Sequence, residues 1–405
     1  MCGSELTRAT ATAQVVDGVL DLLRRQVRRP EAAHHVTDDL RAYVAAELGD
    51  PTGILVVDET GFPKQGTHSV GVARQDCGTL GKIGNCQIGV FLGYASPQGH
   101  AAIDRAPYLP KVWLADPPRG NQAGIPAETP FRTKPQLALA MLERARDASV
   151  PAAWVVADAV YGSDGALRRA LEARNQAYVL AVRVNQPLST WPPYGPPAQT
   201  TVSEQAAAVA AAAWSRVSCG EGAQGPCVYD WAYQPLRPAL NDGWVHGLLI
   251  RRHPQRPAEI AWYLVYAPVD APLDDLVRAA GTRWTIEEVF KLAKGQVGLD
   301  QYEVRSWQGR HRHITLALLA LAALATAAKK GGLLRPPHSL HDPRTPASAR
   351  SPRLERYSCG GPGLCLITLA PSPPTGRPGI PPPPPPEPAQ GTVILSRLAI
   401  MILLP

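Results

Sequence analysis

The sequence predicts an α/β protein whose buried strands end in carboxylates. Three observations predict it. Residues 54–58 read Ile-Leu-Val-Val-Asp, four apolar residues in a row, three of them β-branched. Such a run fits a strand covered on both faces, and Glu59-Thr60-Gly61 ends it at solvent. Residues 152–158 repeat the plan as Ala-Ala-Trp-Val-Val-Ala-Asp, followed by Ala-Val-Tyr-Gly. Residues 283–297 then carry helical periodicity, with acidic and basic side chains on the edge of an apolar stripe.

The remaining elements follow in order. His34–Leu48 reads as a helix before the first strand, preceded by a basic amphipathic stretch at 14–29 that ends in Arg24, Arg25, Arg28 and Arg29. His68–Arg74 reads as a second strand and Cys86–Ser96 as a third, with glycine-rich turns between. Gly81-Lys-Ile-Gly-Asn85 is a hairpin turn, since its glycines have the wrong spacing for a phosphate-cradling loop. Residues 135–147 form an amphipathic helix, and Ser163 caps a helix over Asp164–Arg174. Ala177–Val182 is another strand. The alanine-rich run 206–213 is a short helix leading into the strand-like runs Trp214–Cys219, Cys227–Tyr233, Trp244–Arg251 and Ile260–Tyr266. Ile314–Ala328 is apolar but shorter than the ~20 residues a bilayer requires, so it reads as a buried helix.

Helical phase sorts the residues at 283–297. At about 100° per residue, Arg283, Glu287 and Lys294 fall within about 40° of one another, and Glu288 points about 100° away. Ile286, Phe290 and Val297 flank them on the core side. An ordinary surface helix with a Glu287–Lys291 pair is the bland alternative. Converging carboxylates at two strand ends and on one helix are the donor set that a divalent cation of the magnesium type takes. Two ions held this way serve in-line displacement at a phosphate.

Composition agrees. The 405 residues carry a formal charge of +7, which suits a polyanionic partner. Arg251, Arg252, Arg256, Arg283, Lys291, Lys294, Arg305, Arg310 and Arg312 are interleaved with Trp and Tyr that offer base-stacking surfaces. Seven cysteines at irregular spacing form neither a disulfide framework nor a zinc pattern. No secretory apolar core appears near Met1.

Asp58 within Val-Val-Asp-Glu-Thr-Gly-Phe, Asp158 within Ala-Asp-Ala-Val-Tyr-Gly, and Glu287 within Arg-Trp-Thr-Ile-Glu-Glu resemble the DDE transposases of bacterial insertion sequences, in particular the IS701 family of the IS4-like group. The resemblance covers roughly residues 37–327. Arg283, Glu287 and Lys294 match the last three positions of that group's Tyr–Arg–Glu–Lys signature, while Ala280 stands at its tyrosine, which in relatives helps bind the DNA end during hairpin chemistry. Asp76 and Arg310 replace an expected aromatic and an expected bulky apolar residue.

The resemblance implies a ribonuclease H-like mixed sheet flanked by helices, with an inserted mostly-β region before the last catalytic helix. It implies a partial or truncated N-terminal helical region (1–50), a first part of the core (51–195), a β-rich insertion (196–270), a C-terminal helical part of the core (271–330), and a proline-rich, disordered or frameshifted tail (331–405). It also implies magnesium-dependent strand cleavage at the element ends and 3′-hydroxyl transfer into target DNA. Asp58, Asp158 and Glu287 are then the catalytic residues and the ligands of two Mg2+ ions, for which Mn2+ can substitute. Arg283, Lys291, Lys294, Tyr302 and Arg305 are the expected DNA contacts. The expected partners are double-stranded terminal repeats and target DNA, with a homodimer in the complex, in the bacterial cytoplasm and on the nucleoid. An inactive relic that still binds DNA, and a host nuclease on the same fold, remain as alternatives.

Overall fold

The computed structural model describes residues 33–190, 196–222, 225–236 and 243–331, all within the unit Met1–His338. The basic stretch at 14–29 and the proline-rich tail lie outside these residues, apart from Gly331.

A ten-stranded mixed sheet organises the chain, in the order β2-β3-β1-β5-β6-β12-β11-β10-β9, with β4 paired to β3. Its first half consists of β1 (Ile54–Pro63), β2 (Ala73–Cys77), β3 (Lys82–Ser96), β4 (Gly99–Tyr108), β5 (Trp154–Ala157) and β6 (Tyr178–Val182). β1 runs antiparallel to β3 and parallel to β5, and β5 runs parallel to β6. The antiparallel set β1, β3 and β4, with the short edge strand β2 added to β3, followed by the parallel β5 and β6, makes this sheet ribonuclease H-like. Ile54–Val57 and Trp154–Ala157 are buried throughout, because helices cover both faces of these central strands.

β9 (Ser215–Gly222), β10 (Gly225–Pro235), β11 (Trp244–Arg252) and β12 (Ile260–Pro268) extend the same sheet, with β12 antiparallel to β6. A separate two-stranded ribbon, β7 (Pro187–Thr190) with β8 (Ala198–Thr201), precedes them.

Six helices of eight or more residues lie among the described residues: α1 (Ala33–Leu48), α2 (Lys134–Asp147), α3 (Gly165–Glu172), α4 (Leu273–Thr282), α5 (Thr285–Val297) and α6 (Trp307–Gly331). Two of them show how the sequence sets their geometry. α2 opens with a capping box of Thr133 and Gln136 and buries Ala138, Met141, Leu142 and Ala145, one stripe at helical spacing. α5 buries Ile286, Val289, Phe290 and Ala293 and stops at Gly298, whose left-handed backbone (φ 66°) glycine adopts without steric cost. α5 lies close on the sheet because β3 has Gly93 beneath it. A Cβ at residue 93 would stand 2.7 Å from Ile286 Cδ1. α6 is longer than the apolar run suggested and passes a length-and-composition test for a membrane span. However, 61% of its apolar window is buried against this fold, where it packs on β4 and α1.

Several local expectations need correction. The second strand begins at Ala73, not His68: Val72 N–H turns back to Ser69, Gly71 is left-handed at φ 77°, and Val70 N–H donates to Arg305. Val70 and Val72 alternate like strand residues because both bury against Trp113. The cap of α3 is Asp164, whose Oδ1 accepts from Leu167 N–H at 2.8 Å. Ser163 instead ends the one-turn helix Ala159–Gly162. The helix before the inserted strands sits at Val202–Ala207, fixed by a capping box at Thr201, and only a separate 3-10 turn covers Ala211–Ala213. Arg310 is fully buried, where Nη2 donates to Ile88 C=O at 2.7 Å while Nε and Nη1 have no hydrogen-bond partner, so the carbonyl offsets only part of the cost of a guanidinium in an apolar position.

Candidate active site

The two aspartates stand side by side. β1 and β5 pair in parallel up to Val57 opposite Ala157, and Asp58 and Asp158 are the next residues. Asp158 follows the last residue of β5, but Asp58 lies in the middle of β1: Glu59, Thr60 and Gly61 do not end the strand, because β1 stays paired with β3 as far as Pro63. β1 is where the sheet changes from antiparallel to parallel pairing. Asp158 also caps the one-turn helix, with Oδ1 accepting from Val160 N–H at 2.9 Å.

Electrostatics mark the pair. Burial first, and then the charge of Asp158, push the Asp58 carboxyl up to about 7. Burial and the nearby Glu59 raise Asp158 as well. Two desolvated carboxylates side by side resist double ionisation until positive charge enters.

Glu287 lies on the first turn of α5 with its side chain 45% exposed. Arg283, between α4 and α5, faces both sides of the site. Its Nη1 is 3.3 Å from Glu287 Oε1 and 3.9 Å from Asp58 Oδ2. Among the described residues, no three His, Cys, Asp or Glu side chains are close enough to share one ion. The aspartate pair fits a hard cation in its chemistry, an all-oxygen donor set lifted in pKa by its own crowding. Glu287 is held beside it by the guanidinium.

The remaining expected contacts divide by burial. Lys291 and Arg305 are exposed. Lys294 is not: its Nζ donates to Thr60 Oγ1 (2.9 Å), Thr79 Oγ1 (3.2 Å) and Gly61 C=O (3.4 Å), so all three N–H groups are spent pinning α5 to the end of β1. Tyr302 faces inward, 4% exposed, with its hydroxyl donating to Gln87 Oε1 at 2.8 Å and Lys64 Nζ 3.8 Å from its ring centre. A DNA contact by Tyr302 is therefore corrected to an interior anchor. Ala280 is buried at 3% exposure, and a tyrosine there would overpack the α4 interface.

Sequence reasoning missed three residues. Glu59 follows Asp58 on the opposite face of β1, as the strand pleat requires. Its Oε2 accepts from the fully buried Tyr161 hydroxyl at 2.7 Å, and its Oε1 pairs with Lys134 on α2. The signal available was Tyr161 in the Asp-Ala-Val-Tyr-Gly motif, three residues after Asp158.

Fold and site together give a desolvated pair of carboxylates on a ribonuclease H-like sheet. The chain matches the DDE superfamily endonucleases over residues 7–226 and the transposase DDE domain over residues 132–323. The first match covers more than half of the chain and the two together span Asp58, Asp158 and Glu287; the chain belongs to the DDE endonuclease superfamily. It is also 32% identical over 138 residues to a probable transposase for insertion sequence element IS701 from Microchaete diplosiphon, a stretch that covers 33% of this chain and 32% of that relative.

Proposed function

We propose that this chain is an IS701-type transposase that cuts DNA at the ends of an insertion sequence and joins the freed 3′-hydroxyl to target DNA. The observation that carries this reading is the pair Asp58–Asp158 side by side on adjacent parallel strands, just past the last residues those strands pair, with the Asp58 carboxyl lifted to about 7 by burial and its neighbour. Asp58, Asp158 and Glu287 are the proposed ligands of two Mg2+ ions, with Mn2+ as a substitute. When bound, such ions supply an activated nucleophile and a stabilised leaving oxygen.

The chain's own residues do the rest. Asp58 holds a proton near neutral pH and gives it up as positive charge enters the site. Arg283, Lys291 and Arg305 hold phosphates, so binding weakens with salt through counterion release. Lys294 orients α5 through Thr60 and Thr79. Residues 51–195 with 271–330 form the proposed catalytic core and 196–270 its insertion. The partners are double-stranded terminal repeats and target DNA, bound by a homodimer on the bacterial nucleoid.

The test is cleavage of DNA carrying the inverted repeats that flank the gene, with full-length protein and Mg2+. The expected result is cutting at the repeat ends that Asp158→Ala abolishes. Equal cutting by Asp158→Ala overturns the reading. DNA binding without any cutting points instead to a relic, and cutting without strand transfer points to a nuclease.

A further inference from the structure

We propose that Arg283 is an exchangeable counter-ion of the carboxylate site: its guanidinium spans Asp58 and Glu287 until a divalent cation enters, and the cation then releases it to a DNA phosphate. This rests on the metal-site reading above and adds a coupling between ion and DNA that the reading alone does not contain.

The geometry distinguishes Arg283 from the other cations of the site. One nitrogen, Nη1, faces carboxylates on two different elements, at 3.3 Å to Glu287 and 3.9 Å to Asp58. Both distances exceed the ~2.7–2.9 Å of a tight charge-assisted hydrogen bond. Lys294 and Lys134, by contrast, are committed to nearby protein oxygens. The Arg283 side chain is 22% exposed, so a path to solvent exists. A loosely held monovalent cation between two carboxylates is a weak competitor for their oxygens. A divalent ion on those same oxygens repels it, and double charge decides the contest.

Release has a chemical destination. A guanidinium at the rim of an acidic site is suited to bidentate binding of a phosphate. Ion and DNA then favour each other by the same factor, since linkage is reciprocal. The structure also supplies a reporter. Arg283 Cζ lies 5.7 Å from the ring centre of Trp284, which is 54% exposed, so movement of the guanidinium changes that indole's surroundings.

The experiment titrates full-length protein with Mg2+ in the absence of DNA, by calorimetry and by tryptophan emission, with Trp284→Phe subtracting the other indoles. Arg283→Gln is expected to bind Mg2+ about fivefold tighter than the wild type, the worth of roughly one partly shielded ion pair. Its Trp284 response to Mg2+ is expected to vanish. Arg283→Lys, which keeps the charge, is expected to stay near the wild type and guards against a folding artefact. Equal or weaker Mg2+ binding by Arg283→Gln overturns the proposal and leaves the metal site standing. No Mg2+ binding by either protein overturns the metal-site reading along with it.

Discussion

On one face of β1, Asp58 is buried beside Asp158 and its nearest cation is a guanidinium 3.9 Å away. On the other face, one residue later, Glu59 has both oxygens engaged by Tyr161 and Lys134. The two carboxylates are neighbours in the middle of one strand, yet only Glu59 has both oxygens engaged by side-chain partners within the protein. A satisfied carboxylate braces structure: here it ties β1 to α2 and to the turn that carries Asp158. A desolvated carboxylate left short of positive charge costs stability, and that cost is tolerated where an incoming cation removes it.

The sharpest way to break this comparison is to neutralise each acid in turn. Asp58→Asn is expected to abolish Mg2+ binding and to reduce DNA cleavage by about a thousandfold or more, the scale of losing principal transition-state electrostatics. Glu59→Gln keeps an acceptor for Tyr161 and is expected to keep cleavage within about tenfold. Calorimetry and a cleavage time course check both. If Glu59→Gln lost Mg2+ binding as fully as Asp58→Asn, the division between bracing and binding acids would fail.

A second measurement uses pH. The folded Asp58 carboxyl titrates near 7 against an ordinary value of 3.8. The folded state therefore holds a proton that the unfolded chain has already released. Stability from this group is fully present below about pH 4 and is lost as pH rises through about 7. In a chelator, the wild type is expected to lose roughly 2–4 kcal/mol between these limits relative to Asp58→Asn, followed by urea unfolding at several pH values. Adding Mg2+ is expected to restore the difference. Parallel curves for the two proteins would show that Asp58 is not desolvated.

The smallest expected effect lies on the bracing side. Tyr161→Phe removes a buried donor from Glu59 Oε2 and is expected to lower stability by about 1–2 kcal/mol, with Mg2+ affinity unchanged. A shift in Mg2+ affinity larger than the shift in stability would place Tyr161 on the binding side.

The comparison also explains what could be read from the chain alone. The placement of Asp58 and Asp158 on neighbouring strands was legible because each follows a run of apolar residues whose only comfortable place is a central strand. The Arg283–Glu287 contact was legible because helical phase puts those two side chains on one side of the helix. The partners of Glu59 were not, since Lys134 and Tyr161 lie far along the chain and nothing local announces such a pair. Lys294 and Tyr302 carry the residue types of DNA contacts, but their surroundings are set by Thr60, Thr79 and Gln87 across the fold. His68–Arg74 failed for a related reason: its alternation comes from burial against Trp113, while its backbone hydrogen bonds go to a turn and to Arg305. Residue type and periodicity report which side chains are buried. They do not report which distant group a polar atom meets.

The missing side chain at Gly93 has a consequence beyond close packing. It leaves a gap that the outer end of Ile286 fills, so at this point α5 rests on β3 through a flexible side-chain tip and not through backbone against backbone. A methyl group at residue 93 would meet that tip, and the first response would be a turn of Ile286 rather than a lift of the helix.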